Sequence, residues 1–288
     1  MQLLFWVTLI WSFSFSLIGE FLAGNVDPYI AVGSRMALAL LLFTPFLLLK
    51  PTPIKQAMAL AGIGAVQLGL MYLLFYHSFL YLSVAEVLLF TILTPVYVTI
   101  FDQLWRYRRI SLGWVGPAVL AVLGALVIRY QAPSTDFWLG LALVQGANIC
   151  FAFGQVAYRQ LTLGNSWQQS HSFGWFFVGA SLVAAIGCGL FADWGKTPSS
   201  SIEWLILIWL GLVASGVGYW LWNAGARKVN AQQLAVMNNL LIPAGLLVNF
   251  ALWQHQVNWW QFTAGSLLML LSLSWAKRME HPTEATTQ

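Results

Sequence analysis

Charged residues are scarce in this 288-residue chain: they make up 8% of it, whereas hydrophobic residues make up 59%. A water-soluble domain carries about 25% charged residues, so too few are present here to cover a water-facing surface. Cysteine is also scarce, and both of its copies, Cys150 and Cys188, lie in apolar runs. This argues against a disulfide framework or a thiolate metal site. The composition therefore predicts an all-α integral membrane protein that crosses the bilayer many times.

Motifs for catalysis, nucleotide binding and metal binding are missing as well. The sequence holds no P-loop, no HExxH helix and no recognisable serine or cysteine nucleophile motif. The four histidines are scattered along the chain. Basic residues occur singly or in twos and threes between apolar segments, which argues against a nucleic-acid surface. We predict that the protein is not an enzyme, has no catalytic or metal site, needs no cofactor and binds no nucleic acid.

Ten apolar runs are long enough to cross a bilayer, which takes about 20 mostly apolar residues in a helix. The runs are continuous rather than alternating, so helices are predicted and strands are not. The first run lacks a basic leader and carries Glu20, and we interpret it as a span rather than a cleaved signal peptide. The predicted spans are 3–23, 28–49, 54–76, 84–105, 112–128, 137–159, 172–191, 202–223, 231–253 and 259–276.

Lysine and arginine are unequally divided between the two sides of these spans. Of the 13 basic residues, Arg35 lies within a span, and only Arg129 and Lys196 lie on one side. The positive-inside rule makes the richer side cytoplasmic, so both termini and the tail at 279–288 are predicted to be cytoplasmic. The residues on that side are Lys50, Lys55, Arg106, Arg108, Arg109, Arg159, Arg227, Lys228, Lys277 and Arg278.

The two halves of the chain share a pattern at an offset of 147 residues. The matching pairs in the third and eighth spans are Gly64 with Gly211, Val66 with Val213, Gly69 with Gly216, and Tyr72 with Tyr219. At the same offset, capping-box patterns at 83–86 and 230–233 open the fourth and ninth spans. We predict two related five-helix halves, residues 1–133 and 134–278. Because five is odd, the halves must be inverted relative to each other.

Pro95 and Pro243 interrupt the fourth and ninth spans near mid-helix, one residue away from that offset. A proline frees the carbonyl four residues earlier, here that of Thr91 or Asn239. In lipid, such a carbonyl must face protein, water or a ligand. A packing kink is the simpler explanation of either proline alone. Broken helices at matching places in inverted repeats, however, point to the central site of a transporter.

These features resemble the ten-helix EamA-type branch of the drug/metabolite transporter superfamily. The resemblance rests on an arginine early in the second span (SRM at 34–36), on YLSVAE at 81–86 and on the Thr94–Pro95 pair, and it covers nearly the whole chain. It implies ten helices around a central cavity in a bacterial inner membrane, working by alternating access. The chain departs from the pattern in two places: the seventh span lacks an arginine matching Arg35, and Asn238 and Asn239 form an unusually polar pair. These departures reflect either substrate choice or drift.

Arg35 and Glu20 lie at comparable depths in neighbouring spans, and we expect them to pair because a lone arginine costs about 2.5–3.5 kcal/mol in a membrane helix. The pair would bind a substrate carboxylate and exchange a proton, or it would lock two helices together. Glu86 is a second candidate for proton coupling, although its capping-box position explains it equally well. Asp102 lies four residues before Arg106, the spacing of an ion pair within a helix.

Mid-span polar and aromatic residues are the candidates for substrate binding. With few charges inside the membrane, they favour a neutral, zwitterionic or singly charged substrate with apolar bulk. The candidates are Trp11, Arg35, Tyr72, Tyr76, Thr91, Thr94, Asn148, Tyr219, Asn238 and Asn239.

The sequence thus predicts a secondary transporter of a small organic metabolite, such as an amino acid, carboxylate or amine, with export favoured. Uptake of an amino acid, a carboxylate or a vitamin such as biotin is the alternative. A membrane protein that binds its ligand without transporting it is a more remote one. The expected partners are the substrate and the lipid bilayer; a monomer is sufficient, and an oligomer stays open.

Overall fold

The computed structural model describes residues 1–49, 51–108, 137–164, 166–253 and 258–278, with isolated helical residues between 116 and 127. This part of the chain is helical and contains no strand. Seven helices within it are long and apolar enough to cross a membrane. They correspond to the first four predicted spans and to the sixth, seventh and eighth. The predicted span at 112–128 falls largely outside the described residues.

The helices follow the predicted order, with boundaries that differ by a few residues. The first four are α1 (Gln2–Leu22), α2 (Pro28–Leu49), α3 (Ile54–Ser78) and α4, which consists of Val84–Phe90, Thr91–Leu93 and Thr94–Tyr107. The next three are α5 (Phe137–Gln160), α6 (Gly174–Phe191), which the short helix Ser166–Ser172 precedes, and α7 (Ser201–Ala226). The last three are α8 (Ala231–Asn239), α9 (Leu241–Trp253) and α10 (Trp259–Arg278).

The predicted ninth span, 231–253, is not a single helix. It divides at Leu240 into α8 and α9, just as α4 is interrupted by a 3-10 turn at Thr91–Leu93. Pro243 is the third residue of α9, and Pro95 is the second residue of the helix that follows the turn in α4. A proline is well tolerated in the first turn of a helix, where its missing N–H is not needed. Both prolines therefore begin new helices, whereas the sequence predicted interruptions within continuous ones.

Matching segments of α3 and α7 share an irregular conformation. Both change to π-helical winding, at Ala65–Leu70 in α3 and at Leu210–Val217 in α7, and their last residues are 147 positions apart. Such turns are rare and occur mostly at functional sites. The glycines and tyrosines that matched in sequence therefore belong to segments with the same unusual backbone.

Glycines bring the backbones of α3 and α6 into direct contact. A side chain on Gly64 would collide with the carbonyl oxygen of Phe176, and one on Gly179 would collide with that of Ala61. Small residues allow membrane helices to pack this closely, and the gain is van der Waals contact rather than hydrophobic burial. Because α6 also packs on α2, and α2 on α7, helices from both halves of the chain form one packed group.

The predicted ion pair of Asp102 with Arg106 is confirmed, with 3.1 Å between Oδ1 and Nε. Asp102 is nevertheless not a residue of an exposed helix face: it is 2% exposed, and Arg159 on α5 approaches the same oxygen at 3.0 Å. Arg159 also donates a 2.8 Å hydrogen bond to the carbonyl of Val229, between α7 and α8. This buried network joins α4, α5 and the segment before α8 at the end where α4 finishes.

Candidate functional site

A cavity of about 730 Å³ lies where helices of both halves meet, between the two helix breaks. Its lining comes from α1, α2, α3, α4, α5, α7, α8 and α9. Eight of the ten residues predicted to bind substrate line it, namely Trp11, Arg35, Tyr72, Thr91, Thr94, Asn148, Tyr219 and Asn238. The other two, Tyr76 and Asn239, are buried behind the lining and hydrogen-bond to groups beside it.

Arg35 is the charged residue of this lining, and hydroxyl groups surround it. Its Nη1 donates to the phenol oxygen of Tyr76 and its Nη2 to that of Tyr72, each at 2.7 Å. Ser215 Oγ accepts from Nε at 3.1 Å and from Nη2 at 2.9 Å. The guanidinium carbon also lies 4.2 Å from the centre of the Tyr72 ring, a distance typical of cation–π contacts. The group is therefore well solvated by the protein although it is 1% exposed.

The partners of Arg35 differ from the one expected from the sequence. Its hydrogen bonds go to hydroxyls rather than to Glu20, whose side chain is exposed. The ion pairs present in the described residues join Asp102 to Arg106 and to Arg159, and none involves Arg35. Hydroxyls satisfy hydrogen-bond donors but do not neutralise a charge. The cavity thus carries a buried positive charge that no carboxylate among the described residues neutralises.

Ser215 is the main residue of this cluster that sequence reasoning missed. It is fully buried in the π-helical segment of α7, 180 positions away from Arg35. A hydroxyl among the apolar residues of 210–217 is a weak signal. A helical wheel drawn for an α-helix does not correctly predict which side of α7 carries Ser215, because π-helical winding changes which residues lie on the same side of a helix.

The break in α4 leaves three consecutive backbone carbonyls that other residues bind. Thr94 Oγ1 donates to the carbonyl of Thr91 at 2.7 Å, the one that Pro95 was predicted to free. Asn148 and Gln145 on α5 donate to the carbonyl of Phe90, at 2.8 and 3.0 Å. Asn239 on α8 donates to the carbonyl of Ile92 at 3.0 Å. The broken segment is therefore held by amides from two helices of the second half, α5 and α8.

The walls of the cavity are aromatic. The ring centre of Trp11 lies 4.8 Å from that of Trp222 and 4.9 Å from that of Tyr219. The indole N–H groups point into the protein: that of Trp11 donates to the carbonyl of Ala214 at 2.8 Å and that of Trp222 to Gln155 Oε1 at 3.0 Å. The rings consequently offer apolar faces to a ligand.

Glu86 lies outside the lining and caps a helix. Its carboxylate accepts from the backbone N–H of Ser83 at 2.8 Å, and its own backbone N–H donates to Ser83 Oγ at 3.3 Å. This reciprocal arrangement is a capping box, as the spacing suggested. Neither Glu20 nor Glu86 contributes a side chain to the cavity lining.

Known proteins match the chain from end to end. The model of the EamA-like transporter family matches residues 1–130 and 138–276. The chain is 46% identical over 287 residues to the biotin transporter of Salmonella typhimurium strain LT2, covering 100% of this chain and 96% of that protein. It is 47% identical over 278 residues to the biotin transporter of Escherichia coli K12, with coverages of 96% and 93%. It is 43% identical over 281 residues to the probable biotin transporter of Pseudomonas aeruginosa, with coverages of 97% and 98%.

The fold also matches that of a protein solved by crystallography. The two structures superpose with a TM-score of 0.77 over 98% of each chain, at 16% sequence identity. At that identity, the similarity shows a shared fold.

Proposed function

Because the chain belongs to the EamA-like transporter family, we propose that it is a secondary transporter that takes up biotin. It is a multi-pass protein of the bacterial inner membrane and not an enzyme. The relatives named biotin transporters are 43–47% identical to it over almost their whole lengths. They favour biotin uptake, the alternative in the sequence analysis, over export of another metabolite.

The observation that carries the proposal is the charge of the cavity. Arg35 lies in its lining without a carboxylate partner in the described residues, and the lining has no acidic residue among them. Biotin is a monocarboxylate, so it brings the one negative charge that this site can neutralise. The described lining has no negative charge to pair with an amine, and its single positive charge cannot neutralise a polyanion. Arg35 and the carboxylate of biotin would form a buried charge pair. Removing one partner of a buried pair costs much more free energy than removing one partner of an exposed pair, so substitution of Arg35 should change biotin affinity measurably.

The polarity of the cavity also suits biotin. Pockets for drug-sized ligands are mostly apolar with a few placed polar groups. The cavity here has aromatic walls around Trp11 and polar groups from α4, α5 and α8. The fused rings and the alkyl chain of biotin would pack against the aromatic faces.

For transport, we propose ten helices in two inverted halves, with both termini in the cytoplasm. The matching π-helical segments and the matching helix breaks support this arrangement. Biotin would bind between the breaks, and the halves would expose the cavity to each side in turn. The buried Asp102–Arg159 pair would close the cytoplasmic end while the cavity is open to the outside.

Uptake of radiolabelled biotin tests the function directly. The chain is produced in a bacterial strain that neither makes nor imports biotin. Accumulation of labelled biotin is measured, and cells that carry the empty vector are the control. We expect accumulation that excess unlabelled biotin abolishes and that biotinamide, which is neutral, inhibits weakly. Counterflow in proteoliposomes separates the alternatives: binding without flux would identify a binding protein, and flux of other metabolites but not of biotin would overturn the proposed substrate.

A further inference from the structure

The two asparagines in the cavity lining use their amide N–H groups within the protein. Asn148 Nδ2 donates to the carbonyl of Phe90 at 2.8 Å and to Gln145 Oε1 at 3.3 Å. Asn238 Nδ2 donates one of its two N–H groups to the carbonyl of Leu234 at 2.8 Å. These contacts fix the orientation of both amides, because a flipped amide would set its oxygen against a carbonyl oxygen. Both Oδ1 atoms are left without a hydrogen bond in the described part of the chain.

The hydroxyl groups nearby behave in the same way. Thr91 Oγ1 donates to the carbonyl of Leu88 at 2.8 Å, and Thr94 Oγ1 donates to that of Thr91 at 2.7 Å. On α1, Thr8 Oγ1 donates to the carbonyl of Leu4 at 2.9 Å. A hydroxyl has one proton, so each of these groups can only accept a further hydrogen bond. Away from Arg35, the polar lining thus consists mainly of acceptors and requires donors on the ligand.

Both asparagines of the lining lie beside the break in α4. Asn148 and Asn239 bind the carbonyls of Phe90 and Ile92, which are two residues apart and hence at most about 7 Å apart. Asn238 is the neighbour of Asn239. The helices that carry Asn148 and Asn238, α5 and α8, both pack against α4, and both side chains line the cavity.

We propose that Asn148 and Asn238 recognise the two N–H groups of a cyclic urea, each through its Oδ1. This deepens the proposed function and rests on it, since the ureido ring of biotin carries two such groups, directed to opposite sides of the ring. The carboxylate of the same ligand binds Arg35. The cavity therefore selects its substrate by the urea as well as by the charge, which distinguishes biotin from an aliphatic carboxylate of similar length.

Ser14 supplies a donor for the remaining polar atom of the urea. Ser14 lines the cavity, and its hydroxyl is buried and has no hydrogen-bond partner in the described residues. A buried polar group without a partner is costly, so a ligand atom that binds it gains affinity. The ureido oxygen is an acceptor that fits this role.

Two isomeric analogues of biotin, each methylated on a different ureido nitrogen, test the assignment. Each keeps the carboxylate and loses one N–H donor. Their affinities are measured by competition with radiolabelled biotin for the purified protein. Desthiobiotin, which keeps the urea and the carboxylate but lacks the sulfur, is the reference ligand. In the unmodified chain we expect each methylated isomer to bind at least about 10-fold more weakly than biotin, because a buried acceptor loses its donor.

The variant Asn238→Leu identifies the acceptor of one N–H group. It should bind biotin at least about 10-fold more weakly and bring biotin and one methylated isomer within about 3-fold of each other. It should still discriminate against the other isomer, and Asn148→Leu should show the opposite selectivity. A leucine is no smaller than an asparagine, so a purely steric penalty on the methyl group would persist. Asn25→Leu is the matched control, because Asn25 makes the same bond to the carbonyl four residues earlier, at an exposed site.

The outcomes separate the two proposals. An equal loss of affinity for biotin and for both isomers in Asn238→Leu would show a structural role and overturn the urea site. Unchanged selectivity in both asparagine variants would do the same, while biotin uptake by the unmodified chain would still stand. If the unmodified chain does not bind biotin at all, the substrate and the urea site are both wrong.

Discussion

Asn239 donates a 3.0 Å hydrogen bond to the carbonyl of Ile92, the residue 147 positions before it. The same offset relates Tyr72 to Tyr219, whose ring centres lie 5.9 Å apart. The matching tyrosines thus contact each other beside the cavity, and Asn239 binds the residue next to Thr91, its counterpart in the alignment of the two prolines. In a pair of units related by a two-fold axis, a position can meet its own counterpart only near that axis. We infer that the axis relating the two proposed halves passes through this site.

The contact of Asn239 with Ile92 is expected to be essential for stability. In Asn239→Leu the buried carbonyl of Ile92 loses its donor, which should cost about 1–3 kcal/mol of unfolding free energy and should slow biotin uptake. Thermal unfolding in detergent and uptake in cells measure the two effects. Asn25→Leu, at an exposed position, should leave both unchanged. Unchanged stability in Asn239→Leu would contradict a structural role for this bond.

Arg35 is expected to determine the preference for an anion. Arg35→Gln should lower biotin uptake at subsaturating concentration at least about 10-fold and should bring biotin and biotinamide to similar affinities, because the counter-charge is gone. Arg35→Lys should also be impaired, since one ammonium cannot replace the planar set of donors that contacts Ser215, Tyr72 and Tyr76. Arg106→Gln is the control at an exposed arginine.

A persistent preference for biotin over biotinamide in Arg35→Gln would show that another group binds the carboxylate. Size-exclusion profiles in detergent separate this outcome from misfolding, because a variant with a purely structural defect should lose its monodisperse peak. A folded variant without transport supports the binding role of Arg35.

Ser215 is expected to be important for biotin affinity, because it positions Arg35. Ser215→Ala removes the acceptor of two guanidinium N–H groups, so we expect a loss of biotin affinity of about 5-fold or more. The matched control is Ser181→Ala, which removes a hydroxyl that donates to the carbonyl of Met36 away from the cavity lining. Equal effects of the two substitutions on biotin affinity would show that Ser215 does not position Arg35.

The buried pair of Asp102 and Arg159 should show strong coupling. Asp102→Asn leaves the buried charge of Arg159 without a carboxylate, and Arg159→Gln leaves the buried carboxylate of Asp102 with only the half-exposed Arg106. Each change should cost up to about 3–5 kcal/mol, whereas the double variant leaves no buried charge. We therefore expect the double variant to unfold at a higher temperature than either single variant. Arg106→Gln should cost at most about 1 kcal/mol, because its side chain is 43% exposed. Additive losses in the double variant would rule out the coupling.

Much of this architecture follows from local sequence signals, whereas the partners of the site residues do not. Apolar runs locate the helices, and the repeat pattern identifies Tyr72, Tyr219 and the two prolines, because these depend on composition and spacing. The partner of Arg35 was not predictable in this way. The sequence favoured nearby Glu20, but packing between α2 and α7 brings a distant serine to the guanidinium. Likewise, composition identified Asn148 as a cavity residue but did not reveal that its amide N–H groups bind the break in α4.

The separation of Arg35 from its hydroxyl partners has a consequence for how the chain is made. Tyr72 and Tyr76 follow it by 37 and 41 residues, but Ser215 follows it by 180. A ribosome adds roughly 5–20 residues per second, so the phenols are synthesised within roughly 2 to 8 s and the serine only after roughly 9 to 36 s. Until Ser215 is synthesised, the hydroxyl groups of Tyr72 and Tyr76 are the ones present among the three that bind the guanidinium in the folded protein. We therefore expect a ribosomal pause between α2 and α3 to lower the yield of inserted protein, because it would prolong the time that Arg35 spends without its hydroxyl partners.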